Sequence, residues 1–313
     1  MTKTLIVDGN NLLKIGFHGV KDFYNNGEHI GGTWHFLNTV RKFLEETNFN
    51  KVMVFWDSDT NSSQRKLLYP KYKMNRKSSP NEEKIDSFNK QKTRVKQYLE
   101  DMFIRQLEVE NSEADDLIAY YCQISLDEEK TIFSSDKDLT QLISEKVSIY
   151  SPQTKQYFKF GDKIKFKDCS IPHYNVMTFK ILAGDTSDNI DGISLMGEKT
   201  LVKFFPEILD SEISLTDILI KGELLLKEQK KNVVIGNLLS GKTKEGVMGN
   251  EFFKINKKNF INSMTSFKVL PHRYENFLKD YSHIKDRVPQ YQIAAYLGIT
   301  PVSLSRVINS TKS

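Results

Sequence analysis

The sequence predicts an α/β domain on a mainly parallel sheet, followed by a helical region. Two observations predict it. Short β-rich runs alternate with helical patterns through the first half, as in parallel-sheet proteins. Beyond about residue 151 that alternation stops and the chain reads mostly helical, with lysine-rich stretches near 221–232 and 254–258. In chain order, Thr4–Val7 is a strand, Thr33–Glu46 a helix and Lys51–Trp56 a strand. Ala114–Ser125 is then a helix, and Lys130–Ser134 and Val147–Tyr150 are strands. Ser78-Ser79-Pro80-Asn81 is a breaker that divides the stretch around it into two helical pieces.

Bulk properties narrow the class. The 313 residues are 39% hydrophobic and 27% charged, the profile of a globular protein. No apolar run approaches the roughly 20 residues of a membrane span. The N-terminus enters a strand without a signal-peptide layout, so a cytoplasmic setting is expected. Cys122 and Cys169 are the two cysteines, without zinc-like spacing, which argues against a disulfide framework or thiolate metal site. A net charge of +5 permits nucleic-acid binding without establishing it.

The arrangement of charge says more. Parallel sheets place their chemistry beyond the carboxyl ends of their strands. Asp8 follows Val7, Asp57 follows Trp56, and Asp136 and Asp138 lie just past Phe133. One such aspartate reads as a turn residue or helix cap; three strands each delivering one to the same edge do not. In Glu113-Ala114-Asp115-Asp116, Ser112 can cap a helix whose first turn holds three mutually repelling acids. With Asp185-Thr186-Ser187-Asp188, nine carboxylates are candidates to converge: Asp8, Asp57, Glu113, Asp115, Asp116, Asp136, Asp138, Asp185 and Asp188. An all-oxygen set suits Mg²⁺ or Mn²⁺. Two such ions about 4 Å apart activate water at a phosphodiester. Residues 65–96 carry eleven Lys or Arg against three acids, with Tyr69, Tyr72 and Phe88 interleaved, a pattern suited to a nucleic-acid strand.

These motifs together resemble the flap endonuclease / 5′-3′ exonuclease family, which includes phage 5′ nucleases, phage ribonuclease H and the 5′ nuclease domain of DNA polymerase I. The carrying residues are Leu5-Ile6-Val7-Asp8-Gly9-Asn10-Asn11, Phe55-Trp56-Asp57, Tyr69-Pro70-Lys71-Tyr72-Lys73-Met74-Asn75-Arg76, Glu113–Asp116, Ser134–Asp138 and Gly184–Ile190. The resemblance implies a PIN-like nuclease domain over 1–165 with a helical arch about 60–100. It implies a helical 5′-3′ exonuclease C-terminal domain over 166–270, with a helix-hairpin-helix-type motif about 184–205. It places Asp8, Asp57, Glu113, Asp115, Asp116 and Asp136 around a first metal and Asp138, Asp185 and Asp188 around a second, both Mg²⁺, with Mn²⁺ as a substitute. Lys73 and Arg76 become catalytic cationic residues of the arch, and Lys180 another such residue near the active site. Arg65 becomes an arch residue that steers the phosphate, and Tyr72 an aromatic that stacks on a base. Gly192–Thr200, with Lys199, resembles the turn that holds duplex and a K⁺ ion.

Residues 285–313 differ from the rest. Over 288–309 they resemble the helix-turn-helix of cyclic-AMP-receptor-type regulators, with Gly298 at the turn, Thr300-Pro301 opening a second helix and Arg306 a candidate groove contact. Docking on the nuclease is the competing reading of that shape. The expected function is a Mg²⁺-dependent 5′ nuclease, both flap endonuclease and 5′-3′ exonuclease, acting on a 5′ flap, a nicked or gapped duplex or an RNA–DNA hybrid. The expected protein is a monomer, without a membrane, working beside replication proteins. The alternative is a DNA-binding regulator or scaffold that uses the C-terminal helix-turn-helix.

Overall fold

The structure is a computed structural model that describes residues 2–60, 63–75, 82–228 and 232–259, with Ser305 and Ile308. Arg76, the break at 78–81, Arg306 and, apart from those two residues, the expected tail over 285–313 lie outside the described residues.

Strand β1 (Lys3–Asp8) leads directly into helix α1 (Gly9–Gly19). A small hairpin of β2 (Tyr24–Asn25) and β3 (Glu28–His29) precedes α2 (Gly31–Glu46). Strand β4 (Lys51–Trp56) follows, then α3 (Ser63–Leu68), α4 (Glu82–Asp101) and β5 (Arg105–Glu108). Helix α5 (Ala114–Ile124), β6 (Glu129–Phe133), β7 (Val147–Ser151) and β8 (Gln156–Phe158) complete the sheet. Its order is β5-β4-β1-β6-β7-β8, and every pairing is parallel except β7 with β8. The four strands expected from sequence are present; β5, which the sequence did not suggest, adds one edge.

Burial on both faces explains the apolar runs. Leu5 and Val7 pack with Val54, Trp56, Leu12, Phe36 and Leu99, beneath α1, α2 and α4. Ile6 points the other way, to Met53, Phe55 and Ile132 and to Leu117 and Ile118 of α5. This is the period of two of a strand whose two sides are both covered. Each such side chain contributes about 1.5–3 kcal/mol, which holds the register that pairs Ile6 with both Met53 and Ile132. That register brings the carboxyl ends of β1, β4 and β6 to one edge. Since β4 and β6 flank β1 on opposite sides, the strand order reverses there, the usual place for a ligand site.

The second half is not purely helical. Short strands β9 (Lys163–Lys165) and β10 (Ser170–Pro172) pair first, and helices dominate from α6 (Val176–Ala183) onward. After α6 a two-residue ladder joins β11 (Gly184–Asp185) to β12 (Ile190–Asp191), and α7 (Glu198–Phe204) follows. Helices α8 (Leu215–Glu228), α9 (Val233–Leu239) and α10 (Asn250–Asn259) surround a separate core that includes Phe179, Leu182, Leu201, Phe205, Ile218 and Leu238. The α6–hairpin corner requires glycine. Gly184 has φ +83°, and a Cβ there would lie 2.5 Å from the Gly192 nitrogen. Among the described residues no helix is long and apolar enough to cross a membrane.

Candidate active site

Asp8 closes β1 and caps α1, accepting the Asn11 N–H at 3.0 Å and the Ser134 hydroxyl at 2.8 Å. Both partners are neutral. Burial, with the nearby Asp57 charge, pushes its carboxyl up to about 7. Asp57 follows β4 and accepts the Ala114 N–H of α5 at 2.8 Å. It thereby takes the capping role that the sequence offered to Ser112, whose own N–H and hydroxyl bond within the loops. One carboxylate oxygen each of Glu113, Asp115 and Asp116 lies within 4.8 Å of the others. Arg65 is buried among them, paired with Glu113, at 2.6 Å from Asp116 and 3.6 Å from Asp115. Lys73 reaches Glu113 at 2.5 Å. Even so, burial and Asp115 push the Asp116 carboxyl up to about 7 against the pull of Arg65.

A second group gathers across the cleft. Asp138, Asp185 and Asp188 also place one oxygen each within 4.8 Å of one another. Asp138 sits in a short 3₁₀ turn capped by Asp136, whose Oδ1 accepts the Asp138 N–H at 2.9 Å. Lys180, on the last turn of α6, pairs with Asp138 and with Asp185, the latter at 2.7 Å. Burial alone would raise the Asp185 carboxyl, but Lys180 and both donors of Ser187 outweigh it and hold it below the usual carboxylate range. Tyr72 joins the two groups: its hydroxyl lies 3.0 Å from Glu113 Oε2 and 3.1 Å from Asp188 Oδ2. A phenol has one proton, so it satisfies one of these carboxylates at a time.

The Lys71–Asn75 segment is clasped onto the hairpin that follows α6. The Lys73 N–H donates to the Asp188 carbonyl at 2.8 Å, with Lys73 in the left-handed region at φ +57°. The Asn189 side chain donates to the Lys71 carbonyl at 2.8 Å, and that of Asn75 to the Thr186 carbonyl at 2.6 Å. Three backbone-directed bonds therefore fix where Lys73 enters the cleft, which encloses about 550 Å³.

The donor set suits a hard divalent cation. Every candidate ligand is a carboxylate oxygen, two groups of three already converge, and Asp8 is buried without a cationic partner among the described residues. Asp8 and Asp136 act electrostatically on each other, as do Asp136 and Asp138, so the acids form one continuous cluster. The sequence expectations fare unevenly. The acids, Lys73 and Lys180 do come together. Tyr72 does not offer a stacking face: it is 1% exposed and its hydroxyl is committed to the acids. Arg65 is likewise 5% exposed inside the first acid group rather than out on an arch. Lys199 is exposed at the start of α7, 3.5 Å from Asp168 and outside the cleft lining. Asn11, Ser134 and Ser187 hold the acids but were given no role from sequence, although each lies within a motif that carries one.

Residues 3–168, more than half of the chain, match the family of 5′-3′ exonuclease N-terminal, resolvase-like domains. The chain belongs to that family. The thermostable DNA polymerase I of Thermus caldophilus is 29% identical over 214 residues, which are 66% of this chain and 24% of the polymerase. DNA polymerase I of Borreliella burgdorferi is 28% identical over 249 residues, 77% of this chain and 27% of the polymerase. The chain spans about a quarter of the length of these curated relatives. Among solved structures, the T5 D15 protein co-crystallised with metal ions aligns with a TM-score of 0.65 at 21% identity, covering 90% of this chain and 99% of that one. The bacteriophage T5 D15 flap endonuclease, in a pseudo-enzyme–product complex with DNA and metal ions, aligns at 0.62 and 20% identity, covering 88% and 98%. These likenesses are of fold: a mixed α/β unit around a mainly parallel sheet.

Proposed function

We propose that this protein is a structure-directed 5′ nuclease, a flap endonuclease and 5′-3′ exonuclease that hydrolyses phosphodiesters at 5′-ended junctions during replication or repair. The observation that carries it is the pair of carboxylate groups facing each other at the carboxyl edge of β1, β4 and β6, with Lys73 and Lys180 set among them. Glu113, Asp115 and Asp116, with Asp8, Asp57 and Asp136, would hold one divalent cation, and Asp138, Asp185 and Asp188 a second. Mg²⁺ is the natural occupant, and such ions supply positive charge to the phosphate and acidity to water. The protein's own part is positioning. Lys73 and Lys180 present ammonium groups to the non-bridging phosphate oxygens, which stabilises the charge that builds up there. The Asn11 N–H and the Ser134 and Ser187 hydroxyls keep their carboxylates aimed at the cleft. Water adds to phosphorus and the 3′ oxygen departs, leaving a 5′-phosphate and a 3′-hydroxyl.

The same reading assigns the Gly184–Lys199 corner to the adjoining duplex, with a K⁺ ion at the Gly192–Thr200 turn, and admits RNA primers on DNA as substrates. Buried carboxylates that raise one another's pKa give a purely binding protein no advantage, which disfavours the regulator reading. The test is a panel of substrates: a 5′-labelled flap, nick and RNA primer on DNA, with an internally labelled hairpin closed at both ends so that it has no 5′ end. Short labelled products from the first three, with Mg²⁺ and not with EDTA, are expected. Mg²⁺-independent cutting, or cutting of the hairpin at an equal rate, would overturn the proposal.

A further inference from the structure

We infer that a lysine- and hydroxyl-lined groove beside the acid cleft binds the backbone of the cleaved strand, at phosphates adjoining the scissile one; the inference rests on the 5′ nuclease reading. The groove encloses about 650 Å³ between the β7–β8 ribbon and β9. It adjoins the cleft, since Ser135, Asp136, Lys137 and Phe166 line both. A strand with one phosphate at Asp136 and Asp138 therefore has this groove as a neighbouring surface.

Its lining is selective in chemistry. Lys137, Lys163, Lys165 and Lys167 face a single acid, Asp136, which belongs to the cleft. Lys163 is paired with Asp210 at 2.6 Å, and Lys137 donates to the Lys165 carbonyl at 2.7 Å. Lys165 and Lys167 are exposed and have no acidic partner among the described residues. The same lining carries the Ser135 and Ser151 hydroxyls, which bond to each other and accept backbone N–H groups. Ser135 Oγ lies 3.0 Å from Ser151 Oγ, the Gln153 N–H reaches Ser135 Oγ at 3.2 Å, and the Thr154 N–H reaches Ser151 Oγ at 3.4 Å. Hydroxyls in one groove with ammonium groups that have no acidic partner suit phosphodiester oxygens, and no base-reading geometry is needed. Phe158 and Phe166 add an apolar floor on which sugars can rest. Each neutralised phosphate makes binding more sensitive to salt, by about 0.7 to 0.9 in the slope of log K against log salt.

The test uses the Lys165→Ala/Lys167→Ala double variant, with Lys146→Ala at the amino end of β7 as a control on the far edge of the sheet. Binding of a flap duplex in EDTA is measured by anisotropy across a salt series. In parallel, single phosphates of the cleaved strand are replaced by neutral methylphosphonates. The double variant is expected to bind roughly tenfold more weakly and to lower the salt slope by about 1.5 to 2. Half-saturation in single-turnover cleavage should rise far more than the limiting rate falls. Methylphosphonates at one or more positions beside the scissile phosphate should weaken the wild type and Lys146→Ala but leave the double variant unaffected. A wild-type slope in the double variant, or the same methylphosphonate profile in both proteins, overturns the groove alone if cleavage is intact. Wild-type protein that cleaves no 5′-ended substrate overturns the nuclease reading and this inference with it.

Discussion

At the scale of residues, Tyr72 decides how the two acid groups are coupled. Its ring is buried and its hydroxyl stands between Glu113 and Asp188, so its role is internal rather than a contact with bases. Tyr72→Phe keeps the ring and removes the bridge. Because a hydrogen bond to a charged group contributes about 1.5–3 kcal/mol, the melting temperature in EDTA should fall. A stacking tyrosine would predict no change in that melt and little in cleavage, since phenylalanine stacks as well. Neither this role nor that of Arg65 was legible in the sequence. Their partners Glu113, Asp116 and Asp188 lie 41 to 116 positions away, and only the folded sheet edge brings them together. Asp8, Asp57, Glu113, Asp115, Asp116 and Asp136 were legible because each follows a strand or opens a helix whose pattern is strong, while Asp138, Asp185 and Asp188 were read from the acidic pairs they form.

Elements differ in the same way. Strands β1, β4, β6 and β7 could be read because apolar side chains fill both faces. The edge strand β5 buries Leu107 alone, and β9 and β10 bury little beyond Ile164 and Ile171, so no periodic signal marks them. The corner between α6 and β11 rests on close backbone approach, which the glycines hint at but do not specify. Gly184→Ala should be severely destabilising. Its φ of +83° is unfavourable for alanine and its Cβ would fall 2.5 Å from the Gly192 nitrogen. A loss of about 2 kcal/mol or more in chemical denaturation is expected, with Asp185 displaced from Lys180. A loss within about 0.5 kcal/mol, the range of ordinary surface changes, would show that the corner yields easily.

For the whole molecule, the cluster stores electrostatic cost that a bound divalent cation would relieve. Asp8 and Asp116 have folded pKa values of about 7 against an ordinary 3.8. Between those limits the folded state binds more protons than the unfolded state, so stability falls as pH rises from about 4 to about 7 and then levels off. Cations compete with these protons. Melting in EDTA should therefore drop across that window, and the gain from Mg²⁺ should be larger near pH 8 than near pH 5. An EDTA melting curve that is flat across the window, or an equal Mg²⁺ gain at both ends, would contradict this view of the cluster.

The most direct measurement is single-turnover cleavage of a 5′ flap by the wild type, Asp8→Asn and Asp185→Asn across a Mg²⁺ titration, alongside flap binding in EDTA. Both substitutions remove a charge from one acid group and leave the fold's hydrophobic cores untouched. The account predicts that each lowers the rate by at least about 100-fold, equivalent to about 2.7 kcal/mol, while binding stays within a few-fold of wild type. Wild-type rates in either variant would show that the carboxylates at the sheet edge are not the seat of the chemistry.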